Sequence, residues 1–592
     1  MAGAISTLLV GVLTAVGRSD PSSRRGLGLK SALAAPLTVA SLAGFWEYQV
    51  TKNVPEPYLD EVFHIPQAQA YCRWDYGTWD PKLTTPPGLY YFLPGKIYWW
   101  SHFLSIVSGF TTCNVHFLRT TNVIALTSIM MLAWKCRSLI IRAGAENRTD
   151  QSPKLISADS LHTAANIALF PPLFFFSGLY YTDVLSTCVV LYLYKQFLEQ
   201  AESKNHKSWK NAAWFYLCGV LALCMRQTNI FWAAVILGGM EAVRTMKGTY
   251  RPTAPSLRHH HASSTEEYLK EVYEIIKPEH PHDPPLHAAG LEDFVLTPLS
   301  IIWNTITRLP TILIQLIPHI SLLITFGAFV FINGGVVLGD KSNHVATIHL
   351  SQLLYLWPFI AFFSFPLLIP ALFSFLLNSI DNILHPSKFL TSSLNTRIRA
   401  LITFSLILAS LLGSLAIIEY NTIIHPFTLA DNRHYIFYVF RYSILRHPLI
   451  RYLLAPIYIF CFFLIFKTLS GTSPEYTSPP KKETPNKPHN PSSTSTPLLP
   501  STPLSTLFLL LLTTALSLIT APLVEPRYFI LPFIFLRLHF PTLAISTSPK
   551  INIRLYGETI WYLLINGVTG YIFLYRGFEW TQEPGKVQRF MW

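Results

Sequence analysis

Residues 400–420 read ALITFSLILASLLGSLAIIEY, an apolar run in which Glu419 is the single charged side chain. A helix of about 20 apolar residues crosses the hydrocarbon core of a bilayer, which is roughly 30 Å thick. Similar runs recur along the whole chain and predict an all-α, polytopic membrane protein. About thirteen spans of this length are expected, at 31–50, 116–141, 163–181, 183–199, 212–228, 229–245, 310–333, 350–376, 400–420, 450–468, 504–523, 527–545 and 556–575.

The composition agrees with this interpretation. Of the 592 residues 51% are hydrophobic and 13% are charged, whereas soluble domains carry about 25% charged residues. Such a chain cannot cover itself with polar surface, which excludes a soluble enzyme, a disordered scaffold and a nucleic-acid-binding protein. Seven cysteines without a CxxC pair indicate neither a metal site nor a disulfide framework.

Basic residues in the loops predict the orientation, because cytoplasmic loops of membrane proteins are enriched in Lys and Arg. The span list puts every basic cluster on the same side, which we therefore take as the cytosol. The clusters are Arg24 to Lys30, Lys135 to Arg142, Lys204 to Lys210, Arg244 to Arg258, Lys388 to Arg399 and Lys481 to Lys487. Asn147, in the sequon Asn-Arg-Thr, then faces the cytosol and should carry no glycan.

The same span list divides the chain into successive regions. Two of them are polar cytosolic segments, and the His-rich one is expected to be a solvated loop rather than a metal site. The regions are an N-terminal extension (1–30), a transmembrane module (31–246) with the first lumenal loop at 52–115, a polar loop (247–297), a central module (298–470), a disordered Pro/Ser/Thr-rich linker (471–503) and a C-terminal module (504–592). The runs at 4–17 and 88–110 are expected to lie at the membrane surface, with additional spans as the alternative.

The loops on the opposite side contain carboxylates, Arg, His, Asn and Tyr beside apolar spans. Ionisable groups at membrane depth cost roughly 2.5–3.5 kcal/mol each and indicate a functional site. Asp60 and Glu61 form an adjacent carboxylate pair in the first lumenal loop. Desolvation near lipid would raise the pKa of such a carboxylate toward that of a general base. The alternative is that Asp60 caps the helix that follows it.

A denser group of polar residues follows in ADNRHY, residues 430–435. Arg433 offers a planar fork for a phosphate oxygen pair, with His434 beside it. A structural Asp431–Arg433 pair is the alternative. Arg226 and Arg527 are at span ends, where they bind a substrate phosphate or snorkel to lipid headgroups. Asp340, Lys341 and His344 form a mixed-charge loop, either exposed or ligand-binding, and Asp183 is expected to cap a helix.

Several long motifs resemble a known family. They are PYLDEVFHIPQAQAYC (57–72), WDPKLTTPPGLY (79–90), RQTNIFWA (226–233), NGGVVLGDKSNH (333–344), LADNRHYIFYVFRY (429–442), EPRYFILPF (525–533) and QRFMW (588–592). Together they resemble the dolichyl-phosphate-glucose-dependent alpha-1,2-glucosyltransferases of the endoplasmic reticulum. The resemblance runs from about residue 55 to Trp592, and residues 1–28, the His-rich loop and the 471–503 linker depart from it in length.

The resemblance implies a GT-C fold, an active site on the lumenal face and addition of the terminal glucose to the lipid-linked oligosaccharide. In that class a carboxylate of the first lumenal loop usually serves as base, so Asp60 or Glu61 is expected to be catalytic, with Asp60 favoured. The donor sugar is β-linked and the product α-linked, which implies inversion. The expected substrate-binding residues are His64, Arg226, Asp340, Lys341, His344, Asp431, Asn432, Arg433, His434, Tyr435, Glu525, Arg527 and Tyr528.

The implied partners are dolichyl phosphate glucose, the dolichyl-diphosphate oligosaccharide acceptor and the bilayer, with no nucleic acid. Since the leaving group is a phosphate monoester, no metal or other cofactor is expected. The alternatives are a dolichyl-phosphate-mannose-dependent mannosyltransferase of the same class and a transporter or channel, whose path would be polar through its full depth. Cys72 and Cys113 are expected to be packed thiols rather than a disulfide.

Overall fold

The computed structural model describes residues 29–92, 113–145, 153–202, 208–248, 273, 281–341, 347–385, 394–471, 502–541, 552–581 and 583–592. Several predicted features lie outside these ranges. They are the run at 4–17, most of the run at 88–110, Asn147, His344, most of the His-rich loop and nearly all of the 471–503 linker.

Helices dominate the described residues. They are α1 (Leu29–Asn53), α2 (Glu61–Cys72), α3 (Gly88–Phe92), α4 (Val115–Ala145), α5 (Pro153–Leu169), α6 (Pro171–Phe176), α7 (Thr182–Glu202), α8 (Trp209–Met225), α9 (Leu237–Gly248), α10 (Asp293–Thr307), α11 (Leu309–Asn333), α12 (Ser351–Phe363), α13 (Phe365–Leu384), α14 (Leu394–Tyr420), α15 (Pro426–Ala430), α16 (Tyr435–Val439), α17 (Pro448–Leu453), α18 (Ala455–Ser470), α19 (Leu504–Ile519), α20 (Ile530–His539) and α21 (Ile553–Tyr575).

Shorter elements complete the fold. A π-helical turn (Phe231–Ile236) leads directly into α9, and a second one (Phe440–Ile444) follows α16. The 3₁₀ turns within the described ranges are Leu286–Ala288 and Pro526–Phe529. Strands β1 (Phe578–Trp580) and β2 (Glu583–Gln588) form an antiparallel pair after α21.

Five helical segments of the described chain are long and apolar enough to cross a bilayer, so the protein is a multi-pass membrane protein. They are Val115–Ala143, Leu309–Asn333, Phe365–Leu384, Arg397–Tyr420 and Pro448–Ser470. Most of the other predicted spans also coincide with helices, but the count of about thirteen crossings stays a prediction.

Several predicted spans are not single helices, and proline explains the breaks at 163–181 and 350–376. The run 163–181 is interrupted at Phe170, before Pro171, and continues as the short α6. The run 350–376 is interrupted at Ser364, before Pro366, where α12 gives way to α13. Proline lacks an N–H and disfavours helical backbone in the residue before it, so it breaks the helix. A hydropathy count measures only how apolar a run is, and it therefore does not detect these breaks.

Burial separates the central helices from the lipid-facing ones. Helix α4 packs against α1, α5 and α7, and 61% of its most apolar 18-residue window is buried. For α14 the corresponding share is 11%, with Phe404 and Leu412 exposed. Because these side chains cannot be stable in water, the sides of α14 that the protein leaves uncovered are surfaces for lipid.

A closed polar cluster lies between α5, α20 and α21. Arg537 donates from Nε and Nη2 to the Glu558 carboxylate at 2.7 and 2.6 Å, and Asn166 donates to the same carboxylate at 2.8 Å. Both charged side chains are buried. Complete pairing offsets the large cost of taking the two charges out of solvent, and the cluster ties the three helices together.

The end of the predicted polar loop is packed against the chain that follows the linker. The N–H of Leu286 donates to the Thr502 carbonyl at 2.9 Å, and the N–H of Leu504 donates to the Pro284 carbonyl at 3.1 Å. Asp283 accepts from the Ser505 hydroxyl and pairs with Lys247 at 2.7 Å. Residues 281–297 therefore belong to the folded body.

Cys72 and Cys113 form a disulfide, so the expectation of two packed thiols is wrong. Cys72 ends α2 and Cys113 precedes α4, and the fold places their Cα atoms 6.6 Å apart, within the range for a disulfide. Gln69 adds a hydrogen bond to the Cys113 carbonyl at 3.1 Å. The sequence could not show this pairing because the approach of the two segments depends on how α2 and α4 pack.

Candidate active site

A cavity of about 430 Å³ lies at the end of the helical bundle where α1 and α21 finish. Chain segments that are far apart in sequence meet there, and the wall combines charged side chains with aromatic ones. It is formed by Leu59, Asp60, Phe176, Tyr181, Phe427, Thr428, Ala430, Asp431, Arg433, His434, Ile436, Leu523, Val524, Glu525, Arg527, Trp580, Met591 and Trp592. The volume suits a small ligand rather than a whole oligosaccharide.

Asp60 presents its carboxylate to this cavity from the start of α2. It occupies the N-cap position, but its side chain makes no capping hydrogen bond. Instead, Arg527 donates from Nη1 to Asp60 Oδ2 at 2.8 Å, and 42% of the Asp60 side chain is exposed. The position of Asp60 is thus that of a helix cap, while its side chain is directed to the cavity.

The ion pair also decides the charge of Asp60. Burial by itself would raise the pKa of the carboxyl, but the Arg527 guanidinium and His64 hold it below its usual value. The sequence alone predicts a raised pKa for Asp60, because no local feature of the sequence shows that Arg527 is its neighbour. Asp60 is therefore ionised at neutral pH and can accept a proton.

Glu61 points the other way and is sealed inside the protein. Arg119 donates to both of its oxygens, from Nε at 2.9 Å and from Nη2 at 2.6 Å. The backbone N–H groups of Tyr58 and Tyr180 donate to the same carboxylate at 3.1 and 2.6 Å. Neither charged side chain has any exposed surface, so Glu61 joins the first loop to α4 and has no access to the cavity.

Arg527 lies between two carboxylates. The 3₁₀ turn Pro526–Phe529 brings its side chain back onto Glu525, to which Nε donates, while Nη1 reaches Asp60. The two carboxylates keep the pKa of Arg527 well above its ordinary value despite burial. Arg527 keeps the pKa of Glu525 below its ordinary value in the same way. The cavity thus contains one cation shared by two anions.

Arg433 lines the cavity, but the N–H groups of its guanidinium are already hydrogen-bonded to protein. Nε and Nη2 donate to Asp431 at 2.7 to 3.1 Å, and Nη1 donates to Gln588 at 3.0 Å. Its guanidinium lies over the Trp580 ring, 4.4 Å from the centroid. The structural Asp431–Arg433 pair that the sequence left as an alternative is thus present, and the Arg433 donors bind protein.

The segment 576–592 forms one wall of the cavity, and the sequence argument included none of its residues in the site. The N–H of Tyr435 donates to the Met591 carbonyl at 3.0 Å, and the N–H of Met591 donates to the Arg433 carbonyl at 2.8 Å. His434 Nδ1 lies 3.2 Å from the Trp592 carbonyl. The C-terminal motif QRFMW was noted only as part of the family resemblance. Its single charged residue among apolar ones did not by itself indicate a site.

Arg589 holds this segment in place beside Asp60. Its guanidinium donates to the carbonyls of Phe573 and Leu574 at the end of α21, and to that of Asn53 at the end of α1, at 2.7 to 3.1 Å. Its backbone N–H donates to the Tyr58 hydroxyl at 2.7 Å, and that hydroxyl lies 2.8 Å from the Arg589 carbonyl. The first loop and the segment therefore share one anchor.

The other residues of the ADNRHY motif support this wall. Asn432 accepts a hydrogen bond from the Trp580 indole N–H at 2.7 Å. The ring of Tyr435 packs against Trp592, with the ring centroids 5.0 Å apart. His434 Nε2 lies 3.7 Å from the Asp431 carboxylate. Of this motif, Ala430, Asp431, Arg433 and His434 reach the cavity itself.

Three further predicted residues lie behind the cavity wall. His64 is buried, with Nδ1 2.6 Å from the Tyr90 hydroxyl, and burial lowers its pKa to about 4 even though Asp60 opposes the shift. Arg226 forms an ion pair with Asp183 and lies over the Tyr528 ring, 5.3 Å from the centroid. Asp183, which lies in the first turn of α7, thus pairs with Arg226.

The described part of the mixed-charge loop, which ends at Lys341, does not line the cavity. Asp340 and Lys341 are exposed, and the loop docks through its backbone on the first loop. The N–H of Leu338 donates to the Thr84 carbonyl at 3.1 Å, and that of Asp340 donates to the Pro81 carbonyl at 2.8 Å. The place of His344 stays a prediction, since it lies outside the described residues.

Within the described ranges, no group of three or more His, Cys, Asp or Glu side chains is placed to hold a metal ion. The charged groups at the cavity are instead paired with one another. The expectation that the reaction needs no metal rests on the chemistry of the leaving group and stays a prediction.

Comparison with known proteins places the chain in a family context. The model of the DIE2/ALG10 family matches residues 54–538. A relative from Pyricularia oryzae is 39% identical over 93% of this chain and 92% of its own length. Relatives from Aspergillus fumigatus and Mus musculus are 37% and 31% identical, over 96% and 92% of this chain and 99% and 94% of their own lengths. All three are named Dol-P-Glc:Glc(2)Man(9)GlcNAc(2)-PP-Dol alpha-1,2-glucosyltransferase. No solved structure matches the chain.

Proposed function

Because the chain belongs to the DIE2/ALG10 family, we propose that it is a dolichyl-phosphate-glucose-dependent alpha-1,2-glucosyltransferase. It transfers the terminal glucose to Glc(2)Man(9)GlcNAc(2)-diphosphodolichol during assembly of the N-glycan precursor. The relatives that carry this name cover nearly the whole chain. The structural observation that carries the proposal is the ionised Asp60 in a cavity whose cation, Arg527, lies 2.8 Å away.

The cavity end faces the lumen of the endoplasmic reticulum, in a GT-C fold of about thirteen spans. Two observations support this orientation. The disulfide between Cys72 and Cys113 joins the first loop to α4, and disulfides persist in oxidising compartments. Basic residues such as Arg142 and Lys247 lie in the last turns of the helices that lead away from the cavity, as expected for a cytosolic face.

Asp60 is the base of an inverting displacement. The 2-hydroxyl oxygen of the acceptor glucose attacks the anomeric carbon of the donor, and its proton passes to the Asp60 carboxylate. The bond between that carbon and the phosphate oxygen breaks, and its electron pair leaves with dolichyl phosphate. Attack from the opposite face converts the β-linkage of the donor into the α-linkage of the product. A positioned base typically contributes 10²–10⁴-fold to such a step.

Arg527 and His434 take the negative charge that develops on the departing phosphate. Both line the cavity, where the Arg527 guanidinium is a fixed cation and His434 is a hydrogen-bonding group, and preorganised groups of this kind stabilise developing charge. Arg433 has a different role, because Asp431, Gln588 and Trp580 already engage its guanidinium. It supports the wall that the phosphate and the sugar contact. Arg226, paired with Asp183, lies over the Tyr528 ring behind this wall.

Lipid-linked oligosaccharides from cells that lack the protein test the function. The oligosaccharide that accumulates should be one glucose short, and the full-length chain should restore the missing residue. Membranes containing the protein should consume dolichyl phosphate glucose and not dolichyl phosphate mannose. Mannose incorporation instead would support the mannosyltransferase alternative, and normal oligosaccharides in the deletion cells would refute the proposed function.

A further inference from the structure

The cavity has two chemically different walls. Asp60, Glu525 and Arg527 form a charged wall, to which the proposed function assigns the proton and the phosphate. A second wall comes from the C-terminal segment after α21 and includes Trp580 and Trp592. Aromatic side chains are not needed for proton transfer or for phosphate binding, so this second wall requires its own explanation.

Trp580 is held in a fixed orientation. Its indole N–H donates to Asn432 at 2.7 Å, and the Arg433 guanidinium covers one side of the ring at 4.4 Å. Arg433 is itself held by Asp431 and Gln588. A flat side chain that is already locked loses little conformational entropy when a ligand binds. The ring has a second side, and Trp580 is part of the cavity wall.

A glucosyl ring matches such a surface. In β-linked glucose every ring substituent is equatorial, so both faces of the pyranose present C–H groups. The faces of an aromatic ring are electron-rich and pack well against polarised C–H groups. In mannose the 2-hydroxyl is axial and projects from one face, where stacking would strip it of hydrogen bonds at a cost. A fixed indole therefore binds glucose better than mannose.

We propose that Trp580 is the platform for the donor glucosyl ring and selects dolichyl phosphate glucose over dolichyl phosphate mannose. This inference rests on the proposed function and deepens it, because it names the group that recognises the donor sugar. The Asn432 and Arg433 contacts act through Trp580 as positioning contacts. Asp431, which lines the same cavity, supplies a polar partner for the equatorial hydroxyls.

The test uses the full-length protein in reconstituted membranes, with Trp580→Leu and Trp580→Phe. Three constants are measured for each variant: the KM for dolichyl phosphate glucose, and the inhibition constants of dolichyl phosphate mannose and of dolichyl phosphate. Loss of an aromatic packing partner weakens binding by roughly 2- to 10-fold. Trp580→Leu should raise the KM by about that much, while dolichyl phosphate, which has no sugar, should inhibit as in wild type.

The ratio of glucose-donor to mannose-donor affinity should fall in Trp580→Leu and be intermediate in Trp580→Phe, which keeps a ring. Trp209→Phe, at an exposed tryptophan at the start of α8, is the matched control. Equal weakening of all three ligands in both variants would show that Trp580 only maintains the fold, and would overturn the inference. An unchanged donor ratio in Trp580→Phe would do so even if Trp580→Leu does not accumulate.

Trp592→Leu tests the other indole of the same wall. If the donor ratio depends on Trp592 and not on Trp580, the platform is assigned to the wrong ring and the inference fails. A wild-type protein that transfers no glucose from dolichyl phosphate glucose would be a failure of the proposed function itself, and it would be visible before any variant is made.

Discussion

Two carboxylates that are adjacent in sequence have opposite environments in this protein. Glu61 is closed in on all sides by Arg119 and two backbone N–H groups, with no exposed surface. Asp60 pairs with Arg527 through one oxygen, and 42% of its side chain is exposed. Both are Arg–carboxylate pairs, but only the Asp60 carboxylate is accessible enough to accept a proton from a substrate. The enclosed Glu61–Arg119 pair stabilises the fold, whereas the open Asp60–Arg527 pair leaves the Asp60 carboxylate accessible to a substrate.

The largest effect is expected from Asp60→Asn. Asn is nearly isosteric but cannot take a proton, so the transfer rate should fall by about 10²–10⁴-fold. Because the Asp60 side chain makes no capping hydrogen bond, the amount of folded protein should stay close to wild type. Single-turnover glucose transfer in reconstituted membranes measures the loss.

Asp75→Asn is the matched control for that variant. Asp75 lies in the same loop, exposed and bonded to Thr78, and its replacement should leave the transfer rate unchanged. Near-normal transfer by Asp60→Asn would contradict the assignment of Asp60 as base.

Glu61→Gln should damage the fold rather than the chemistry. Removing one partner of a buried ion pair leaves the other charge uncompensated and costs about 3–5 kcal/mol. The variant should therefore accumulate poorly and unfold at a lower temperature in detergent, while the remaining folded protein keeps most of its turnover per molecule. The double variant Glu61→Gln, Arg119→Met should recover part of the stability.

Glu56→Gln, at an exposed position of the same loop, is the control for this effect. If Glu61→Gln were fully stable and yet inactive, the division between the closed pair and the open pair would be wrong.

Arg527→Gln tests how the open pair sets the pH range. The pKa of Asp60 is below its ordinary value because Arg527 lies beside it. A base works when it is deprotonated, so the lowered pKa keeps activity present at mildly acidic pH. Without the cation, burial would prevail and the pKa would rise. The acidic limb of the kcat/KM profile should then move to higher pH, and the maximal rate should also fall because the phosphate loses a cation.

An unchanged acidic limb in Arg527→Gln would show that Asp60 is not the group that titrates. Asp60→Asn is the comparison for this experiment, because its kcat/KM profile should have no acidic limb at all.

Arg433→Lys should have the smallest effect of the four. Lysine keeps the charge but cannot bridge Asp431 and Gln588 at once, so the segment 576–592 should loosen and activity should fall several-fold. Hydrogen exchange of residues 583–592 measures the loosening. Arg576→Lys, at an exposed arginine of the same segment, should behave as wild type. Full activity in Arg433→Lys would remove Arg433 from the support of the site.

Much of the candidate site could be predicted from the sequence, because polar residues beside apolar spans are conspicuous. Asp60, Asp431, Arg433, His434, Glu525 and Arg527 were all expected in the site, and all six line one cavity. Trp580 and Trp592 were not expected, since an aromatic residue at a membrane protein's surface has many ordinary explanations. Asp340 and Lys341 were expected in the site, but their loop docks on the first loop outside the cavity wall.

The sequence by itself determined the helices and the membrane, because hydropathy over about 20 residues is a local property that requires no partner. It also predicted most of the charged residues that line the cavity. Tertiary structure alone shows that Asp60 and Glu61 have different environments, because these depend on Arg527 and Arg119, which are 467 and 58 residues away along the chain. The disulfide and the aromatic wall were decided in the same way. Such contacts depend on how the helices pack, and no short stretch of sequence contains that information.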